Sequence, residues 1–227
     1  MTTRIAVAIE STPKRTFASA VDWPGFARSG TNEAAAIAAL LAHLDRYATV
    51  ARAAGESLPA HDVLIEVVET AAGNGSTEFG VPGRVTAADR RPTTTSEAER
   101  LARLVTAAWA CLDTTVAAAP ESLRKGPRGG GRDTSKIAEH ALLADHAYAR
   151  EMGLRVPAPV PAPVPGDAVS VRALRDAMLA VLRQPADGSA LADRRWTVRY
   201  AAHRIGWHAL DHAWEIEDRT EDRTGDA

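Results

Sequence analysis

Near the C-terminus, the stretch RIGWHALDHAWEIEDR, Arg204 to Arg219, sets His208 and His212 four residues apart. On a helix, side chains at i and i+4 have Cβ atoms about 5–6 Å apart, so both imidazoles can reach one divalent ion at about 2.0–2.1 Å. They interrupt an apolar stripe of Val198, Ala201, Ile205 and Ile216. A third imidazole, His140, shares a helical face with Ile137, Ala141, Ala144 and Tyr148 in an earlier segment, so it too points inward. Three neutral imidazoles buried without partners would cost roughly 1–3 kcal/mol each, and a shared ion removes that cost. Three protein ligands leave a position for water or substrate, the arrangement of catalytic rather than structural sites. The spacing HALDH is not a zincin motif, because the Glu that would follow the first His is absent.

Glu215 follows His212 by three residues and is placed to be a fourth ligand, a partner of a ligating imidazole or a general base. Asp211, three after His208, is placed to orient a ring. For each carboxylate, a solvated helix flank is the commoner role. His146 lies on another face, His203 falls beside the inward stripe, and His43 and His61 belong to the first half of the chain. A basic glycine-rich stretch, RKGPRGGGRD from Arg124 to Asp133, enters the helix that carries His140. Its backbone N–H groups, with Arg128 and Arg132, could bind the anionic end of a thiol cofactor or substrate, although a flexible connector is the commoner use of such a loop. It lacks the Gly-Lys-Ser/Thr ending of a P-loop.

These residues need elements to position them. Arg4–Glu10 and Thr16–Asp22 have the Ile/Val content and loose alternation of a hairpin, and Phe26–Ser29 follows the Trp23-Pro24-Gly25 bend as a third short strand. Asn32 to about Ala54 has the spacing of a helix capped by Thr31 or Asn32, and Asp62–Thr70 reads as a strand covered on both faces. Ala71–Thr95 is rich in Gly, Thr, Pro and Arg, with at most a short strand around Arg84–Ala87. Ser96 and Glu99 fit a capping box, and four helical segments follow: one after Ser96, then Thr134–Met152, Ser170–Leu182 and Thr197–Arg219. VPAPVPAPVPG, Val156 to Gly166, favours polyproline II and spans roughly 34 Å, long enough to return the chain along a helix so that the second and third helices run parallel. The fold class expected is α+β: a small α/β domain over residues 1–90, a four-helix bundle over 91–220, and a disordered tail over 221–227.

Composition bounds the function. Lys and Arg number 27 against 29 Asp and Glu, giving a formal net charge of −2, which argues against nucleic-acid binding through a basic surface. The single cysteine, Cys111, excludes an intramolecular disulfide and a multi-cysteine zinc site and fits a reducing compartment, the cytoplasm. Nothing nearby in sequence would activate its thiol. No apolar run approaches the roughly 18 residues of a membrane span, so no membrane association is expected.

KIAEHALLADHAYAR and RIGWHALDHAWEIEDR together, in a chain of four helices, resemble the DinB/YfiT-like metal-binding bundles, a superfamily that includes mycothiol-dependent maleylpyruvate isomerase and the bacillithiol transferases. The resemblance covers Ser96 to Arg219. It implies His140, His208 and His212 as ligands, zinc or nickel as the ion, helices running up, down, down, up, and a metal-dependent thiol transferase or isomerase acting on a small-molecule thiol or electrophile. IAVAIESTPKRTFASAVDWPGFARSGTNEAAAIAALLAHL is similar to the HicB antitoxin fold. That likeness keeps open a non-enzymatic reading, in which the first domain recruits a partner and the bundle is structural. A homodimer is compatible with either.

Overall fold

The computed structural model describes residues 3–58, 62–125, 131–155 and 162–220. Strand β1 (Thr3–Ser11) pairs antiparallel with β2 (Thr16–Ala20), which pairs antiparallel with β3 (Ala27–Gly30). Helices α1 (Glu33–Ala42) and α2 (Leu44–Ala53) then carry the chain across to β4 (Val63–Ala72), which lies parallel to β1, giving the order β3-β2-β1-β4. Side-chain parity divides this sheet. Ile5, Val7 and Ile9 on β1, with Ala18 and Ala20 opposite them, enter the main core, whereas Phe17 and Ala27 pack against Trp207 on the other face.

The first half departs from expectation in several places. The helix over Asn32–Ala54 is broken at His43 (φ −102°, ψ 8°), whose ring bonds back to the Ala39 carbonyl at 2.9 Å and lies 5.0 Å from the Trp214 ring. Its cap is Asn32, which accepts from the Ala35 N–H at 2.9 Å. Strand β4 is not covered on both faces: it is an edge strand whose Leu64 and Val68 are about half exposed, and only Val63 and Ile65 lean on the core. Arg84–Ala87 is loop rather than strand, because buried Glu10 accepts from the N–H groups of Gly83 and Arg84 and so takes donors that a ladder would use.

After α3 (Gly75–Phe79) and a turn of 3-10 helix over Ala88–Arg90, helix α4 (Thr95–Ala118) begins earlier than expected. Its capping box is Thr94 with Glu97, not Ser96 with Glu99. Both pairs satisfy the same spacing. Thr93 is held extended by a bridge to Ala186, and Arg199 binds Glu97 at 2.7 Å, which together fix the helix start at Thr94. α4 is long and apolar enough by composition to cross a bilayer, contrary to the expectation that no segment is; its Leu101, Leu104, Val105, Ala108 and Leu112 are all buried in the core instead.

Helices α5 (Thr134–Glu151), α6 (Ala168–Leu182) and α7 (Val198–Thr220) complete the bundle. Glu97 meets Arg199 at one end and Thr115 meets Glu217 at the other, so α4 and α7 run the same way. Arg175 meets Asp113 and Arg183 meets Glu99, so α6 runs against α4. His140 lies beside His212 and Tyr148 beside His208, so α5 runs against α7. The pattern is up, down, down, up, and the long connection between α5 and α6 makes it feasible; residues 156–161 of that connection lie outside the described residues. One hydrophobic core joins the two halves, with Tyr47 and Leu58 in the same cluster as Leu104 and Ile216. α7 also abuts the Pro24-Gly25 turn, where the Tyr47 hydroxyl donates to the Pro24 carbonyl at 2.7 Å.

Candidate metal centre

The middle of α7 faces α5, and there the three imidazoles singled out in the sequence converge. The ring centroids of His208 and His212 are 4.5 Å apart, and His140 stands 5.2 Å from the first and 5.1 Å from the second. One nitrogen from each ring falls within 4.8 Å of the other two, and among the described residues this is the one set of three His, Cys, Asp or Glu side chains placed to close on an ion. His208 and His212 are buried, and His140 is half-buried.

The surroundings of two of the rings favour the neutral form. Burial, then the neighbouring His212 and Arg204, holds His208 well below the usual imidazole range. Burial, then the charge of Arg132, lowers His140. A metal ligand must offer a lone pair, so depressed imidazole basicity of this origin leaves the donors ready at neutral pH. Tyr148 packs edge-on to His208 at 5.6 Å, with the Arg204 guanidinium 5.2 Å from the Tyr148 centroid, which closes the site on that side.

Glu215 is placed to partner a ligand. Its Oε2 accepts from His212 Nδ1 at 3.0 Å, and its Oε1 accepts from Arg219 Nη1 at 2.9 Å. The bond to His212, helped by Arg219, holds the carboxyl below its ordinary range in spite of burial, so it stays ionised. An Nδ1–H donated to a carboxylate leaves Nε2 as the free donor atom, the usual way a ligating histidine is fixed. Asp211 does not orient an imidazole: it reaches β3, where it accepts from Arg28 at 2.9 Å.

Arg132 is exposed, and its charge is felt at both His140 and His208; Arg128 lies outside the described residues. His43 and His203 are engaged elsewhere, the latter 3.1 Å from the Val21 carbonyl. Cys111 is half-buried, and burial followed by Glu217 pushes its thiol up, which makes it a poor nucleophile. Sequence reasoning missed Arg219 and Arg204 as supports of the centre. Arg219 had a readable signal, since it stands four residues after Glu215 and therefore on the same helix face.

No family model, curated protein or solved structure matches the chain. The donor set itself is what speaks for the chemistry of the centre.

Proposed function

We propose that the chain binds a divalent ion, zinc or nickel, through His140, His208 and His212, and that it is a cytoplasmic metal-dependent enzyme of the thiol transferase or isomerase kind. The observation that carries the reading is the convergence of three imidazoles from two helices, one of them fixed by a carboxylate. The donor set fits such an ion: three nitrogens, a bonded partner behind one ring, and two Nε2 atoms that face each other at 3.2 Å. A divalent ion held in this way lowers the pKa of a coordinated thiol or water and so supplies a nucleophile at neutral pH. The protein's own part is then clear. Glu215 orients His212, Tyr148 and Arg204 limit access beside His208, and Arg132 contributes positive charge near His140 for an anionic thiol. The up, down, down, up bundle agrees with the resemblance to DinB/YfiT-like proteins from which this activity is inferred.

A second reading is a structural bundle attached to a partner-recruiting, HicB-like first unit. The half-exposed Leu64 and Val68 on the edge strand favour it.

Metal counting separates the two. Protein purified without a metal-affinity tag should carry about one divalent ion per chain, and His212→Ala should carry none. A metal-free wild type that takes up no zinc, nickel or cobalt removes the enzyme reading. Spectral shifts of the cobalt form on adding small thiols would report coordination.

A further inference from the structure

A second concave site lies on the sheet side of the bundle; it shares Arg204 with the surroundings of the imidazoles but is lined by none of the three. It is a cleft of about 580 Å³ between the loop following α3 and the segment that leads into α7. Five guanidinium groups line it, Arg84, Arg90, Arg194, Arg195 and Arg204, against one carboxylate, Glu151, an excess of four positive charges. The whole chain carries a formal −2, so the concentration is local.

The protein does little to neutralise these charges. Glu151 approaches only Arg194, at 3.9 Å. Arg204 lies over the Tyr148 and Trp207 rings, and its Nη1 is buried without a hydrogen-bond partner. Among the described residues, Arg84, Arg90 and Arg195 make no side-chain hydrogen bond or ion pair. Like charges gathered in one concavity repel, and the arrangement is relieved by an anion.

Both walls are fixed. On one, the Glu10 carboxylate accepts from Gly83 N–H at 2.9 Å, Arg84 N–H at 3.0 Å and the Thr77 hydroxyl at 2.7 Å, while the Tyr200 hydroxyl donates to the Pro82 carbonyl at 3.1 Å. On the other, Ala192 and Asp193 take consecutive left-handed conformations (φ 47° and 57°), and Leu191 N–H donates to the Trp196 carbonyl at 2.7 Å, a tight turn that presents Arg194 and Arg195. Trp196 and Tyr200 add apolar surface to the same cleft.

We propose that this cleft binds a small polyanion, a molecule with two or more phosphate or carboxylate groups. Guanidinium forks pair with both groups in two-point fashion. The volume falls in the range of sites for single small molecules, roughly 300–1,000 Å³. A nucleic-acid backbone is the less favoured occupant, because the charge is confined to one cavity of a net acidic chain.

Calorimetric titration of the full chain with pyrophosphate and with citrate tests this. Prior treatment with EDTA keeps the result independent of the histidine centre. At least one probe should bind at one site per chain, weaken with added salt, and lose tenfold or more in affinity in Arg84→Ala and in Arg195→Ala, both exposed positions. Arg195→Lys should fall between, and Arg52→Ala, on the outside of α2, should bind like wild type. The proposal is overturned if neither probe binds, or if both cleft variants bind as wild type does. A short oligonucleotide binding more tightly than either probe would replace the small-molecule ligand with a nucleic acid.

Discussion

His208 Nε2 and His212 Nε2 face each other at 3.2 Å, with the Nδ1 of His212 committed to Glu215. Two lone pairs cannot point at one another at that distance. Either His208 donates an N–H across the gap, or both nitrogens turn their lone pairs to a shared cation. Two nitrogens at 2.0–2.1 Å from a tetrahedral ion are themselves about 3.4 Å apart, so the helix already holds the pair near the required separation.

Glu215 should therefore matter to ion affinity without being a ligand. Glu215→Ala frees His212 Nδ1 and should weaken ion binding by about 10–100-fold, and Glu215→Gln, which keeps an acceptor oxygen, should weaken it less. Competition against a chelating dye measures both. Wild-type affinity in the alanine variant would reduce Glu215 to a helix flank.

Asp145 offers a test by pH. It is buried on α5, and burial, only partly offset by Arg175, pushes its carboxyl up to about 7. The folded chain thus holds a proton that the unfolded chain has already lost. Its contribution to stability is complete below the ordinary carboxylate pKa, declines as pH rises from about 4 to about 7, and is absent above that. Asp145→Asn should flatten this slope and raise stability at pH 8 by roughly 2–4 kcal/mol. Denaturant titrations at pH 5 and pH 8 would decide it, and parallel slopes for the two proteins would show that Asp145 ionises normally.

The histidine trio was legible because its signal is local. Period 3.6 on two helices assigns each ring a face, and the faces meet whenever those helices are neighbours. The partner of Asp211 was hidden for a matching reason: i, i+3 spacing from His208 says that a contact is feasible, but Arg28, from a strand 183 residues earlier, decides it. The exposure of β4 was hidden as well. Alternating Val and Ile cannot distinguish a central strand from an edge, because that depends on which strand fails to arrive on the far side. The arginine cleft was least visible, since its residues come from three separated stretches, none basic enough alone to attract notice.

The capping choice at α4 is open to a direct comparison. Thr94 satisfies the Glu97 N–H, and Glu97 in turn binds the Thr94 N–H and Arg199. Its carboxyl is held at about 2, first by the Thr94 backbone and then by Arg199. Thr94→Ala should cost about 1 kcal/mol, whereas Ser96→Ala, inside the first turn, should change stability by less than about 0.5 kcal/mol. Equal losses in thermal or chemical unfolding would return the cap to Ser96. The carboxylate's own contribution is present above the ordinary glutamate pKa and fades as pH falls from about 4.5 towards 2, so the gap between the two variants should narrow in acid.

The junction between the halves rests on a backbone contact that only glycine permits. Gly25 has φ +89°, and a Cβ there would stand 2.8 Å from the Gly206 carbonyl carbon and 3.1 Å from Leu210 Cδ1. Two penalties should add in Gly25→Ala: the left-handed backbone, about 1 kcal/mol, and the displacement of α7 from the Pro24-Gly25 turn, for a total of roughly 2–3 kcal/mol. Gly55 separates them. It also has positive φ (+77°), but a Cβ there would meet nothing within 4 Å, so Gly55→Ala should cost only the backbone share. Because Gly206 is two residues from His208, the shift in α7 should also lower ion affinity in Gly25→Ala and leave Gly55→Ala unaffected. Equal destabilisation of the two variants, with unchanged ion binding, would mean that α7 does not rest on the turn, and that the first half does not help position the histidines.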